Sequence, residues 1–253
     1  MTSPASRDLR VLVWVPMAIA LVVASVIGAR AWERVKTRTV RTVEVTGSAK
    51  RRISSDLVVW EASLEAHGAT SQEAYQLLKA QTPKVVAYLE QKGITKDAIR
   101  VSSVTRNERF DTEVVGSGDS RVERQVSRGH DARQVVIVTS PDVARVEQVS
   151  REVTELIDAG VPVDSRPPAY FYTKLGELKI EMLAEASKDA RARADRILAS
   201  ASGGSKIQLR AADMGVINVN APNSTATSWE GNNDTSTIEK DIITIVHCTF
   251  DLD

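Results

Sequence analysis

Three histidines, four carboxylates at helical spacing and one glycine-flanked serine are the residues whose types and spacing could do chemistry. His67, His130 and His247 could ligate a metal or carry a proton. None has a second His or Cys at i+3 or i+4, so the helical spacing that gathers metal ligands is absent. His67 ends an alternating segment beside Gly68, His130 sits in a polar stretch and His247 alternates with apolar residues, so a structural or solvent-exposed role fits each. Glu177, Glu181, Glu185 and Asp189 recur at i+4 and would stack four carboxylates on one helix face, a source of the oxygen ligands a divalent cation takes. Lys188, Arg191, Arg193 and Arg196 lie nearby, and pairs such as Glu185 with Lys188 or Asp189 with Arg193 favour an ordinary solvated face.

Ser117 lies between Gly116 and Gly118 but lacks the G-x-S-x-G frame of a nucleophile elbow, and reads as a hairpin tip. Gly203-Gly204-Ser205-Lys206 follows a helical pattern instead of opening one, so it is a C-cap and not a phosphate-cradling loop. Asn223-Ser224-Thr225 and Asn233-Asp234-Thr235 match the glycosylation sequon, a pattern short enough to arise from a polar loop's composition. Cys248 is alone, which excludes an intrachain disulfide or a thiolate cluster. No residue is assigned as catalytic, cofactor-binding or metal-ligating, and a non-enzymatic role is expected. A hydrolase would need His130 brought beside a serine and a carboxylate.

The elements that would position these residues follow from periodicity. Thr42–Gly47 and Leu57–Ala66 alternate as half-buried strands expected to pair with each other, with Gly47 marking a turn or bulge. Thr70-Ser71-Gln72-Glu73 is a capping box ahead of Ala74, Leu77, Leu78, Val85, Val86 and Leu89, with Gly93 as C-cap and Pro83 expected to kink or divide the helix. Ile99–Val115 and Arg133–Thr139 read as strands, with 116–131 a loop between them. Ser140 as N-cap and Pro141 open the next helix, which closes before Gly160. A short aromatic strand, Ala169–Tyr172, precedes a long alanine-rich helix from about Leu175 to Ser202. Strands over Lys206–Ile217 and Asp241–Leu252 finish the chain, separated by a polar excursion, 218–237, expected to be mobile. This order specifies an α+β domain of antiparallel sheets with helices packed on one face.

Ahead of that domain, residues 11–29 form an uncharged run long enough to cross a bilayer as one helix, with Trp14 and Trp32 near its ends. The chain thus divides into a tail, 1–10, an uncleaved transmembrane signal anchor, 11–31, a basic juxtamembrane stalk, 32–41, and the α+β domain, 42–253. Ala29-Arg30-Ala31 keeps a cleaved signal peptide as the competing reading, although Arg30 and the length of the run favour the anchor. Two Lys/Arg residues precede the run and five follow it closely, a count that alone would put the domain in the cytoplasm, although long domains translocate largely regardless of charge.

Several segments together resemble the SIMPL-domain family of bacterial envelope proteins. The likeness is carried by Val43-Glu44-Val45-Thr46-Gly47-Ser48-Ala49 running into Asp56-Leu57-Val58-Val59-Trp60, by Tyr170-Phe171-Tyr172-Thr173-Lys174-Leu175 leading to Glu181-Met182-Leu183-Ala184-Glu185-Ala186, and by Ile238-Glu239-Lys240-Asp241. It covers roughly residues 40–252 and implies an α+β fold, a domain on the periplasmic side of the inner membrane, and homo-oligomers. It brings no catalytic residues and no cofactor.

Composition agrees with this division of the chain. The 253 residues hold 33 Lys+Arg and 33 Asp+Glu, a balance without the basic excess of a nucleic-acid binder. Residues 1–41 carry seven basic against two acidic residues, and 42–253 carry 26 against 31. A basic stalk suits an anionic lipid surface, the partner expected for residues 11–31 and their flank. The expected function is a non-enzymatic envelope protein acting by self-association or contact with other envelope proteins. The alternative is an anchored sensor or small-ligand-binding domain with a pocket lined by Trp60, Tyr170 and Tyr172.

Overall fold

The computed structural model describes residues 17, 20–30, 32–33, 41–115, 121–202 and 206–252. Two compact units partition the chain, the larger holding residues 46–191 and 213–247 and the smaller the residues up to 45, 192–212 and 248 onward.

The larger unit is built on a six-stranded sheet. Its central strands are β2 (Leu57–Gly68) and β5 (Val122–Ser140), antiparallel in a register that puts Trp60 opposite Val138, Ala62 opposite Val136 and Ala66 opposite Ala132. Alternation sends these side chains to one face, where they are buried. Helices α1 (Ser71–Gln91) and α2 (Val143–Glu152) cover that face with Ala74, Leu78, Val85 and Leu89 from α1 and Val146 and Val149 from α2. β3 (Ile99–Val101) and β4 (Thr105–Val115) pair with β5, and β6 (Val163–Ser165) and β7 (Ala169–Phe171) pair with β2, all antiparallel. A second sheet has the order β1 (Thr42–Ser54), β9 (Glu239–Leu252), β8 (Ile207–Asn220). Helix α3 (Leu175–Ser202) supplies buried Met182, Ala186 and Ala190. The fold is α+β, as expected.

Local signals were read correctly where chemistry is local. Thr70 caps α1, its hydroxyl accepting the Glu73 N–H at 3.2 Å, while the Glu73 carboxylate accepts the Ala69 N–H at 3.0 Å. Gly93 takes positive φ just beyond α1, and Gly160 does so just beyond the 3-10 helix Val153–Ile157 that continues α2.

Other expectations are corrected. β1 pairs with β9, not with β2, because β2 is already flanked by β5 on one edge and by β6 and β7 on the other. Gly47 is neither turn nor bulge but lies inside β1. A Cβ there would stand 2.1 Å from the Ala186 carbonyl oxygen and 2.6 Å from the Ala190 nitrogen, so glycine is required by close approach of α3. α1 runs unbroken through Pro83. Asp142, not Ser140, caps α2, accepting the Arg145 N–H at 3.0 Å, while the Ser140 hydroxyl accepts the Asp142 N–H at 3.1 Å. The stretch read as a loop before Arg133 belongs largely to β5, which pairs with β4 from Val122 to Arg133; over 122–128 the two strands form an arm largely exposed on both faces. Ser117 and Gly203-Gly204 lie outside the described residues.

Of the segment read as an anchor, residues 11–16, 18, 19 and 31 also lie outside them. Residues 20–30 are helical, and Leu21, Val22, Val23, Val26 and Ile27 expose their apolar side chains. Among the described residues, no helix is long and apolar enough to cross a membrane.

Candidate functional site

The polar excursion between β8 and β9 is tied down by asparagine side chains. Asn218 Oδ1 accepts the Ser228 and Asn232 N–H groups at 2.8 and 3.1 Å, Asn220 Nδ2 donates to the Ala226 carbonyl at 2.7 Å, and Asn232 Nδ2 donates to Asn220 Oδ1 at 3.0 Å. Asn218 and Asn220 are buried, so these bonds replace water that folding removed. The expectation of a mobile loop is therefore replaced by a cross-linked one. Composition could not distinguish the two, since the same amides either face solvent or bond to backbone.

Two adjacent residues of β9 anchor it further. Lys240, 1% exposed, donates to the Asp234 and Thr237 carbonyls and reaches the Asp234 carboxylate at 3.3 Å. Asp241, also 1% exposed, accepts from Arg52 at 2.8 Å, from Lys50 at 3.0 Å and from the Asn223 N–H at 2.8 Å. The Arg52 and Lys50 hydrogen bonds, then the Asn223 N–H, hold the Asp241 carboxyl well below the usual carboxylate range. For Asp234 burial opposes ionisation, but hydrogen bonds from Ser236 and Thr237 with the charge of Lys240 outweigh it, and its carboxyl too is held low.

This pinning shapes a groove of about 280 Å³ lined by Thr46, Val216, Ile245, His247 and Trp229. His247 Nδ1 lies 3.0 Å from the Thr46 hydroxyl. Trp229 is 92% exposed at the groove and Met214 of β8 is 60% exposed, the kind of aromatic and apolar surface found at protein contacts. Cys248 in the neighbouring strand is a buried thiol pushed up by burial, hence a small core residue and not a nucleophile.

A second assembly lies on the six-stranded sheet. His67 Nδ1 is 2.6 Å from Asp131 Oδ1, and Glu65 joins them so that one ligand atom from each residue lies within 4.8 Å of the others. Asp131 is directly opposite His67, and Glu65 opposite Arg133. A cavity of about 390 Å³ adjoins Glu65 and His67, lined also by Ser63, Arg133, Val163 and Asp164. The helical-spacing criterion passed this group over because its members stand at i, i+2 on one strand and across a ladder to another.

His130 fronts a shallow cavity of about 540 Å³ that Ser71 and Glu108 also line. The hydrogen-bond chain of a hydrolase is not formed there. His130 Nδ1 is buried without a partner, the Ser71 hydroxyl accepts from Arg106 at 3.4 Å, and Glu108 accepts from the Ser127 hydroxyl at 2.6 Å.

The aromatic pocket expected for a ligand domain is filled core. Trp60 is 1% exposed with its indole N–H donated to Ser165 Oγ at 3.1 Å, Tyr170 is buried in the same cluster, and Tyr172 is half-buried. The carboxylate stripe on α3 is engaged by β1. Glu181 and Glu185 both accept from Arg51, and Asp189 accepts the Ser48 N–H at 2.9 Å.

No curated protein matches the chain. Residues 43–241 match the model of the SIMPL family, whose description reads "Protein of unknown function (DUF541)". That match covers most of the sequence, and the chain belongs to the SIMPL family.

Proposed function

We propose that this SIMPL-family protein is a single-pass membrane protein of the bacterial envelope, anchored through residues 11–31 with its domain on the periplasmic side of the inner membrane. It acts without catalysis, by self-association through β8. The observation that carries the reading is the edge of that strand. β8 ends its sheet, and over 207–218 no strand among the described residues pairs its outer edge. Residues 208–214 are exposed throughout, with Leu209 at 53% and Met214 at 60%. A long exposed edge bearing apolar side chains is a template for another strand.

The sequence of β8 suits a second copy of itself. In antiparallel pairing centred between Ala211 and Ala212, Arg210 of each copy meets Asp213 of the other and Leu209 meets Met214, each contact made twice by symmetry. Asp213 has no ion-pair partner among the described residues, and Arg210 holds only Asp251, at 3.3 Å. Trp229 adds an aromatic side chain of the type that dominates binding energy.

The test is sedimentation of the detergent-solubilised full chain over a wide concentration range. A concentration-dependent oligomer is expected, weakened at least about tenfold by Arg210→Asp or Asp213→Arg alone, roughly the scale of a lost close charge pair, and restored when both are combined. A monomer at every concentration ends the self-association reading. Oligomers indifferent to the swaps end the assignment to β8 alone. A topology reporter fused after Asp253 tests the placement, and activity confined to the cytoplasm defeats it.

A further inference from the structure

We infer that Glu65, His67 and Asp131 form a binding site for a divalent transition-metal ion of the zinc class. The three come from two adjacent antiparallel strands and share one face of the sheet. Residues directly opposite in such a pair have Cβ atoms about 5 Å apart, which brings His67 and Asp131 together, and Glu65 follows two residues along β2 on the same side. One ligand atom from each already lies within 4.8 Å of the others. Around a zinc ion the ligand atoms stand about 2.0–2.2 Å from the metal and hence within about 4 Å of each other. Small side-chain rotations close the difference.

The donor set selects the metal. One imidazole and two carboxylates suit zinc and its neighbours, whereas calcium takes about six to eight oxygen ligands and magnesium an all-oxygen shell rich in water, so neither makes use of the imidazole. Three protein ligands leave a fourth position for water, and the adjoining cavity of about 390 Å³ gives that position room.

A second observation points to a missing partner. Glu65 is half-buried, yet its carboxylate makes no hydrogen bond or ion pair among the described residues. Several other carboxylates of the same sheet are paired, though among the described residues Asp164 of β6 is not. Glu61 holds Arg166 at 2.8 Å, Glu108 accepts from Ser127 at 2.6 Å, and Asp111 and Glu113 share Arg128. The cations facing the group offset its charge only in part. Arg133 stands opposite Glu65 without forming an ion pair to it, and Arg109 approaches Asp131 Oδ2 only to 3.8 Å. Asp164, across the cavity, adds a further negative charge. These two arginines reduce the local negative charge and disfavour cations held by charge alone, which strengthens the preference for an imidazole-seeking ion.

The test uses the full chain, purified in detergent without a histidine tag and stripped with a chelator, titrated calorimetrically with zinc chloride. One zinc per chain is expected, with no saturable calcium binding. His67→Ala, Glu65→Gln and Asp131→Asn should each weaken zinc binding at least tenfold with an unchanged circular dichroism spectrum, while His130→Asn and His247→Asn should leave it as it was. Cobalt(II) in place of zinc should give the intense visible absorption of a four-coordinate site, lost in His67→Ala. Absence of saturable zinc binding overturns the proposal. So does binding that survives all three substitutions, which would place the ion elsewhere on the chain.

Discussion

Two helices of the larger unit hold their sheets in opposite ways. α1 drives large aliphatic side chains, Leu78, Val85 and Leu89, into the space over β2 and β5, and each is fully buried. α3 presents Ala186 and Ala190, equally buried, to Gly47 of β1. The first seam is filled by side-chain volume, so it is sensitive to losing atoms. The second is closed by backbone approaching backbone, so it is sensitive to gaining them. A glycine and two alanines thus specify a packing distance as firmly as three large residues specify a volume.

The largest expected effect tests the second seam. Gly47→Leu puts a Cβ where the Ala186 carbonyl oxygen and the Ala190 nitrogen already stand. Backbone atoms cannot rotate away as a flexible side chain can, so the cost should exceed the usual range for overpacking and reach about 4 kcal/mol or more. Urea unfolding of the full chain followed by circular dichroism measures it; a loss under about 1 kcal/mol would show that α3 does not approach β1 so closely. Leu78→Ala is the matching test of the first seam. It should cost about 3 kcal/mol through lost transfer energy and a residual cavity, while Leu78→Met, which conserves volume, should cost less than about 1.5 kcal/mol. Equal losses for both Leu78 variants would break the contrast by showing that shape, not volume, holds α1.

A smaller effect separates the helix from its seam. Thr70→Ala removes the hydroxyl that accepts the Glu73 N–H and touches nothing in the apolar layer, so about 1 kcal/mol is expected from the lost cap. Combined with Leu78→Ala, the two losses should add, because a cap and a core contact two turns away share no partner. Coupling well above about 0.5 kcal/mol would mean that α1 frays into its seam when uncapped.

The contrast between the seams also accounts for what could be read from residues alone. The α1 layer was legible because its signals are local: Thr70 and Glu73 three residues apart, Leu78, Val85 and Leu89 on one helical face, Gly93 at the end. The alanines of α3 announced a close approach, but nothing in Gly47 itself separated a turn from a contact with a helix about 140 residues away. The start of β5 was hidden because, over 122–128, the strand forms an arm largely exposed on both faces, and without a buried face there is no alternation to detect. β6, only Val163–Ser165, is too short to show a period. The His67–Asp131 pair is separated by 64 residues and exists only once β2 and β5 are in register. His and Asp at such a distance carry no spacing signal, whereas Cys248 declared its core role through the parity of Ile242, Val246 and Phe250.

The smallest effect concerns a third manner of closure, the ionic one around β9, and acid distinguishes it from both apolar seams. Asp241 is held well below the ordinary carboxylate range by Arg52 and Lys50 and by the Asn223 N–H. A depressed folded-state pKa means that the native protein binds fewer protons than the unfolded chain, whose Asp titrates near about 3.9. The stability Asp241 contributes is therefore fully present above that value and lost as pH falls from about 4 toward the lower folded-state pKa. Asp234 acts in the same direction through Ser236, Thr237 and Lys240. Asp241→Asn should lower stability at neutral pH and flatten the decline in urea midpoint between about pH 4 and pH 2, whereas Leu78→Ala should shift the whole curve down without changing its slope. If the decline is as steep in Asp241→Asn as in the parent chain, the acid sensitivity belongs to other carboxylates, and the β9 network closes its loop by geometry instead of charge.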